Sequence, residues 1–204
     1  MVLVFMAAAL ALNLTPGPDM LYVTARSVSD GRAAGVLSAF GIAAGTLVHI
    51  AALALGLAAL LAAVPLAYDV VRIAGAIYLL AIGIQLIVRP RPASEVAVLP
   101  RSRLRVIFMQ AVITNVLNPK VALFFLAFLP QFVDAQAGPP VPQILLLGLL
   151  FNVQGTLVNV AVALLASRGT SWLRASERRA AALQRMTGAL FVALGARLAV
   201  ASNR

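Results

Sequence analysis

Apolar residues run along this chain in six long stretches, 2–25, 34–63, 68–88, 106–130, 141–167 and 180–201, with short polar connections between them. A helix needs about 20 apolar residues to cross the hydrocarbon core of a bilayer, so the pattern predicts six transmembrane helices. The second and fifth stretches contain no Asp, Glu, Lys or Arg. The third, with Asp69, Arg72 and Gln85, and the sixth, with Arg185 and Arg197, are weaker spans. Two stretches are broken near their middles. The first reads Asn13-Leu14-Thr15-Pro16-Gly17-Pro18-Asp19 and the fourth reads Asn115-Val116-Leu117-Asn118-Pro119-Lys120. Backbone groups freed by a break find no water in lipid, so such breaks are tolerated only where they are enclosed by protein or line a wet cavity. Breaks in corresponding places of two halves point to a transporter's binding site.

The basic residues fix an orientation. Arg26 and Arg32 follow the first span, Arg89, Arg91, Arg101, Arg103 and Arg105 the third, and Arg168, Arg174, Arg178, Arg179 and Arg185 the fifth. These are 12 of the 16 basic residues, and the connections 64–67 and 131–140 hold none. By the positive-inside rule the three basic connections are cytoplasmic and both termini face outward. A five-span topology would leave one long basic stretch on the wrong side. The net charge of +10 is therefore topogenic, and no nucleic-acid partner is expected. No positively charged segment precedes the first stretch, so it is expected to be a retained span rather than a cleaved leader.

Three spans per half place the halves in opposite orientations. Arg72-Ile73-Ala74-Gly75-Ala76-Ile77-Tyr78 reads onto Arg185-Met186-Thr187-Gly188-Ala189-Leu190-Phe191 at a constant offset of 113, with Gly83 and Gly195 further on. Thr15-Pro16 reads onto Asn118-Pro119 at an offset of 103. The expected fold is an all-α integral membrane protein of six transmembrane helices. It forms two inverted three-helix repeats with broken first and fourth helices. The chain is then one domain, 1–204, with repeat one at about 1–88, a cytoplasmic connection at about 89–105 and repeat two at about 106–204. A hydrophobic share of 62%, a charged share of 11% and a mean hydropathy of +1.00 agree with a membrane domain and leave no room for a soluble one.

The breaks carry the candidate chemistry. Thr and Asn are favoured helix N-caps and Pro is favoured at the first helical position, so Thr15-Pro16 and Asn118-Pro119 each read as a helix restart. Counted along the helices, Pro16 and Pro119 both lie about 20 Å deep, from opposite faces. Two helix N-termini facing one cavity suit a carboxylate. Asp19 lies in the first turn of one half-helix, where the dipole favours it. Lys120 lies in the first turn of the other, where the dipole opposes it. Ionisable groups inside a membrane are functional candidates; the alternatives are that Asp19 only caps its helix and Lys120 only snorkels. Gly41, Gly45 and His49 share one face of the second span, and Gly148, Asn152, Thr156 and Asn159 share one face of the fifth. They serve close helix packing, or line the cavity. Gln110, Thr114 and Asn115 lie on the fourth span. Asn13-Leu14-Thr15 matches a glycosylation sequon but lies inside a span and is discounted.

The absence of cysteine excludes disulfides and thiolate metal sites, and a single histidine excludes a His-rich metal site. No cofactor is expected. An intramembrane enzyme would need a nucleophile–base pair or metal ligands at matched depth, and the spans offer neither, so the chain is not expected to be an enzyme.

Together these motifs resemble the lysine exporter / homoserine–threonine resistance (LysE/RhtB) family of bacterial amino-acid exporters, over essentially the whole chain. The residues that carry the resemblance are Thr15-Pro16-Gly17-Pro18-Asp19, the series Gly31, Gly35, Gly41, Gly45 leading to His49, Gly75-Ala76-Ile77-Tyr78-Leu79 with Gly83, and Asn118-Pro119-Lys120 followed by Phe124-Phe125 and Leu129-Pro130-Gln131-Phe132. The resemblance implies a multi-pass protein of the bacterial cytoplasmic membrane that exports a small amino acid or related metabolite, driven by proton antiport. The alternative is a passive channel or facilitator for small amphiphilic solutes. The expected substrate-binding residues are Thr15, Pro16, Gly17, Pro18, Asp19, Asn115, Asn118, Pro119, Lys120, Asn152 and Asn159. The proton-coupling candidates are Asp19, His49 and Lys120. The expected partners are the amino-acid substrate, protons and lipid, and a homo-oligomer stays open.

Overall fold

A computed structural model describes residues 2–63, 102–134 and 136–167, and residues 73–89 and 181–196 in part. Most of the third and sixth predicted spans, of the 89–105 connection and of the basic stretch after the fifth span lies outside the described residues. All regular structure among the described residues is helical. In chain order the elements are α1 (Val2–Leu14), α2 (Pro18–Ser29), α3 (Arg32–Ala63), α4 (Leu104–Val116), α5 (Pro119–Leu123) and α6 (Pro140–Ser167). A π-helical turn, Phe124–Phe128, and a 3-10 turn, Leu129–Phe132, extend α5.

Helices α3 and α6 each hold a segment long and apolar enough to cross a membrane on its own, Arg32–Gly56 and Pro140–Ala166. The first and fourth predicted spans are bent pairs. α1 meets α2 at 49°, and α4 meets the Pro119–Phe132 segment at 45°. Large apolar side chains lie on the outside, with Leu3 86%, Leu55 77% and Leu157 66% exposed, while Thr15, Asn115 and Asn118 are each 1% exposed. Apolar outside and polar inside inverts the arrangement of a water-soluble protein and suits lipid.

Helix α3 packs along α4 and α6, and α2 crosses both α3 and α6. The glycine stripe of α3 explains the first contact. A Cβ at Gly41 would stand 2.6 Å from Ala111 Cβ and 2.7 Å from the Phe108 carbonyl oxygen, and one at Gly45 would stand 2.9 Å from the Val112 carbonyl oxygen. Small residues thus let α4 lie against the α3 backbone. Around this junction the buried side chains form two apolar clusters. Phe5, Leu12, Ile50, Phe124, Phe128 and Phe151 belong to one, and Met20, Val23, Ile42, Ala111 and Val162 to the other.

Two expectations are corrected. The first helix restart is not at Thr15-Pro16. Helix α2 begins at Pro18 with Gly17 as its cap. Thr15 instead closes α1, its hydroxyl donating to the Ala11 carbonyl at 2.7 Å. Gly17 and Pro18 therefore correspond to Asn118 and Pro119, and Asp19 to Lys120. Arg26 is not in a loop either. α2 continues to Ser29, ended by Gly31 at φ 90°, and Arg26 is 4% exposed.

Within 73–89 and 181–196 the described residues are helical up to Val88. A Cβ at Gly83 would stand 2.7 Å from the Gly188 carbonyl oxygen, and one at Gly195 would stand 3.0 Å from that of Ala76. The two contacts are reciprocal at an offset of 112, one residue from the offset of the sequence match.

Candidate substrate site

The first break leaves the Thr15 carbonyl without a helical donor and the Leu12 carbonyl with a turn bond from the Thr15 N–H at 3.1 Å. Lys120 takes them: its Nζ donates to the Leu12 carbonyl at 3.1 Å and the Thr15 carbonyl at 2.9 Å. The lysine that sits unfavourably at the start of α5 thus rests at the negative end of α1, where a cation is stabilised. It passes over Gly17, where a Cβ would stand 3.1 Å from Nζ.

The second break is organised by Asn118 and Asn115. Asn118 Oδ1 accepts from the Lys120 backbone N–H at 3.0 Å, so it caps α5 as its residue type predicts, with Pro119 at the first helical position. The Asn115 carbonyl accepts from the Asn118 N–H at 2.9 Å and lies 3.1 Å from His49 Nε2. A carbonyl can only accept, so His49 Nε2 is placed to donate to it. The His49 ring also stacks on Phe125, with centroids 5.8 Å apart.

Asn115 joins the two breaks. Its Nδ2 donates to Asp19 Oδ2 at 2.9 Å, and its Oδ1 accepts from the Thr46 hydroxyl at 3.3 Å. Gly45 makes room for it, since a Cβ there would stand 2.8 Å from Asn115 Cβ. No ion pair joins Asp19 to Lys120; among the described residues the ion pair is Arg26–Asp30.

Between the two apolar clusters lies a polar cavity of about 20 Å³, lined by Asn13, Asp19, Thr46, Asn115, Asn152, Thr156 and Asn159 with Ile42, Ala43, Val121, Phe151 and Gly155. That is room for about one water. Two buried polar atoms of the lining residues have no hydrogen-bond partner, Asp19 Oδ1 and Asn13 Nδ2. Buried polar atoms without partners are uncommon and call for a reason.

Two packed groups flank the cavity among the described residues. On the side of α5 a plug of aromatic rings packs Phe124 against Phe151 at 4.8 Å and against Phe128 at 4.9 Å, with Phe5 5.9 Å from Phe124. At the far end of α2, Arg26 bonds Asp30 at 3.0 Å, Gln110 at 2.8 Å and the Tyr22 hydroxyl at 3.2 Å. Tyr22 donates to the Ile107 carbonyl at 2.9 Å, and Asp30 accepts from the Ser102 N–H at 3.0 Å.

The structure therefore gathers Asp19, Asn115, Asn152 and Asn159 at one cavity. Thr15, Gly17, Pro18, Asn118 and Pro119 shape the breaks beside it. Lys120 and His49 hold freed carbonyls and do not line the cavity. Sequence reasoning set Asn13 aside and passed over Thr46 and Gly155. Asn13, two residues before a break, and Thr46, within the α3 glycine stripe, carried a weak signal.

The LysE type translocator family matches residues 10–202. The chain belongs to that family. Translocators move solutes and are not enzymes. The chain is 32% identical over 200 residues to the homoserine/homoserine lactone efflux protein of Salmonella typhimurium, covering 98% of this chain and 96% of that one. It is 31% identical to the protein of the same name in Salmonella typhi, with the same coverage. An uncharacterized membrane protein of Pseudomonas aeruginosa is 32% identical over 194 residues, 93% of this chain and 90% of its own. No solved structure matches the translocator at a significant level.

Proposed function

We propose that this translocator exports a small amino acid or related metabolite from the cytoplasm by proton antiport, through the cavity between its two broken spans. The observation that carries the reading is Asp19. It is a buried carboxylate with one oxygen held by Asn115 and the other unpaired in a polar cavity at the meeting point of both breaks. Such a group can hold either a proton or a substrate amine but not both, which is the requirement for exchanging one for the other. The efflux named for the Salmonella relatives supports the direction of transport. In this reading Asn115, Asn152 and Asn159 bind substrate beside Asp19. Lys120 and His49 position the breaks, and the exchanged proton is assigned to Asp19 rather than to them.

The same reading includes six spans in two inverted repeats, with the basic connections in the cytoplasm and both termini outside. The reciprocal approach of Gly83 and Gly195 supports it, because an in-plane two-fold axis makes paired helices meet at equivalent residues.

The test is uptake into everted vesicles with a proton gradient imposed. Gradient-driven uptake by the wild-type protein, abolished in Asp19→Asn at equal protein, is the expected result. Uptake unchanged when the gradient is collapsed would instead make the protein a passive facilitator.

A further inference from the structure

We propose that the seam between α2 and α4 is the path that joins the Asp19 cavity to the face of the basic connections, with the Arg26–Asp30 pair as its clasp. Path and clasp rest on the reading of that cavity as the transport site. The seam is a ladder of polar bonds. Asp19, Tyr22 and Arg26 follow at intervals of three and four along α2, and Asp30 caps the helix. Residues so spaced share one helix face. Asp19 meets Asn115, Tyr22 meets the Ile107 carbonyl and Arg26 meets Gln110, all on α4. Asp30 meets the Ser102 N–H just before α4. The ladder thus leads from the cavity to the junction of α4 with the basic connection.

The neighbouring contacts are of another kind. On its other side α2 buries Met20 and Val23 in one cluster with Ile42 of α3 and Val162 and Ala163 of α6. A Cβ at Gly35 of α3 would stand 2.9 Å from Ser27 Cβ and 3.1 Å from Ala163 Cβ, so the three helices are close-packed there. Gly41 and Gly45 hold α4 as close to α3. Water and a polar solute entering at those contacts would meet apolar surface. Entering between α2 and α4, they would exchange polar bonds for polar bonds, at a small net cost for each. Ile107, Gln110 and Thr114 share the face of α4 turned to the seam, by the same spacing. Gln110 is exposed and Thr114 half-buried. A carboxamide exposed within a span fits a wet crevice better than lipid. The lining offers a cation, an anion and neutral polar groups, so both charged groups of an amino acid stay paired as it passes.

The chain has no cysteine, so one introduced thiol reports on one place. A charged, membrane-impermeant methanethiosulfonate is applied to either face of sealed vesicles. It reacts with the thiolate, which forms in water and not in lipid. Thr114→Cys probes the seam, Ala43→Cys the cavity lining and Ile113→Cys the outer side of α4, where Ile113 is 52% exposed. Gln136→Cys, in the 131–140 connection, marks the face without basic residues. Thr114→Cys is expected to react from the face opposite to Gln136→Cys, and Ile113→Cys from neither. Adding Arg26→Gln is expected to speed the reaction of Ala43→Cys from that opposite face about tenfold or more, as when a bond to a charged group no longer holds the seam. Gln110→Ala breaks the other half of the same contact and takes its place if Arg26→Gln does not fold. Reaction of Thr114→Cys from the face of the 131–140 connection, or no faster than Ile113→Cys, would overturn the path. No acceleration at Ala43→Cys, or acceleration from both faces as in a loosened protein, would overturn the clasp. Gradient-driven uptake that survives Asp19→Asn would overturn the reading of the cavity itself, whichever way the labelling falls.

Discussion

Asp19 and Lys120 occupy the same place in their half-helices, each one residue after the proline that starts it, and each reaches to the end of the other broken span. Lys120 donates to the Leu12 and Thr15 carbonyls at the end of α1, and Asp19 accepts from Asn115 near the end of α4. The opposite charges follow from what each meets. Carbonyls at a helix end take a cation, and a carboxamide N–H takes an anion.

Lys120→Met is expected to be strongly destabilising. It removes a charged donor from two carbonyls that have no access to water, and bonds to charged groups are worth about 1.5–3 kcal/mol each. A fall in thermal stability that Lys120→Arg largely restores is the expected outcome. Full stability in Lys120→Met would show that the carbonyls find another donor.

The two breaks predict different responses to loss of a cap side chain. Asn118→Ala removes the bond to the Lys120 N–H and should cost about 1 kcal/mol, as for N-caps generally. Thr15→Val keeps the shape and loses only the bond back to Ala11, so its cost should stay below about 0.5 kcal/mol. Unfolding of both variants in one detergent compares them directly, and a larger loss in Thr15→Val would contradict the assignment of Gly17 as the cap.

Gly45→Ala and Gly17→Ala separate rigid from yielding contacts. At Gly45 the added methyl meets Asn115 Cβ at 2.8 Å and the Val112 carbonyl at 2.9 Å, so α4 must move, at about 1–3 kcal/mol, and Asn115 is drawn from Asp19. At Gly17 the neighbour is the flexible tip of Lys120, and the backbone there is extended, with φ −159°. Transport should therefore be lost in Gly45→Ala and largely retained in Gly17→Ala, measured at equal protein in vesicles.

Phe124→Ala opens the aromatic plug. Phe124 is 1% exposed, and removal of a buried Phe costs about 3–5 kcal/mol. The expected functional signature is a leak of protons or substrate in the absence of exchange. A tight but less stable variant would mean that the plug is packing alone and that the path lies elsewhere.

Much of this was legible along the chain, wherever the cause is local. The bounds of α3 and α6, the cap made by Asn118-Pro119 and the packing stripe of Gly41 and Gly45 each follow from residue type and spacing. The first break was misread because Thr15-Pro16 and Gly17-Pro18 are both acceptable starts. The choice is made by Lys120, which takes the Thr15 carbonyl from 105 residues away. Asn13 was discounted because nothing local shows that its amide faces a cavity wall built from other helices. The destination of Lys120 depended on helix tilts that no count of residues gives. Arg26 looked like a loop charge because its partner Gln110 belongs to another helix.

The bond from Lys120 across the first break has a mechanical consequence. α5 leads directly into the π-helical turn that carries Phe124, Phe125 and Phe128, and its second residue is fastened to the last turn of α1. α1 in turn leads through Gly17 into the helix that carries Asp19, Tyr22 and Arg26. The ring cluster and the arginine cluster, though they lie on different broken spans, thus share one bonded frame that runs from α5 through Lys120 to α1 and on into α2.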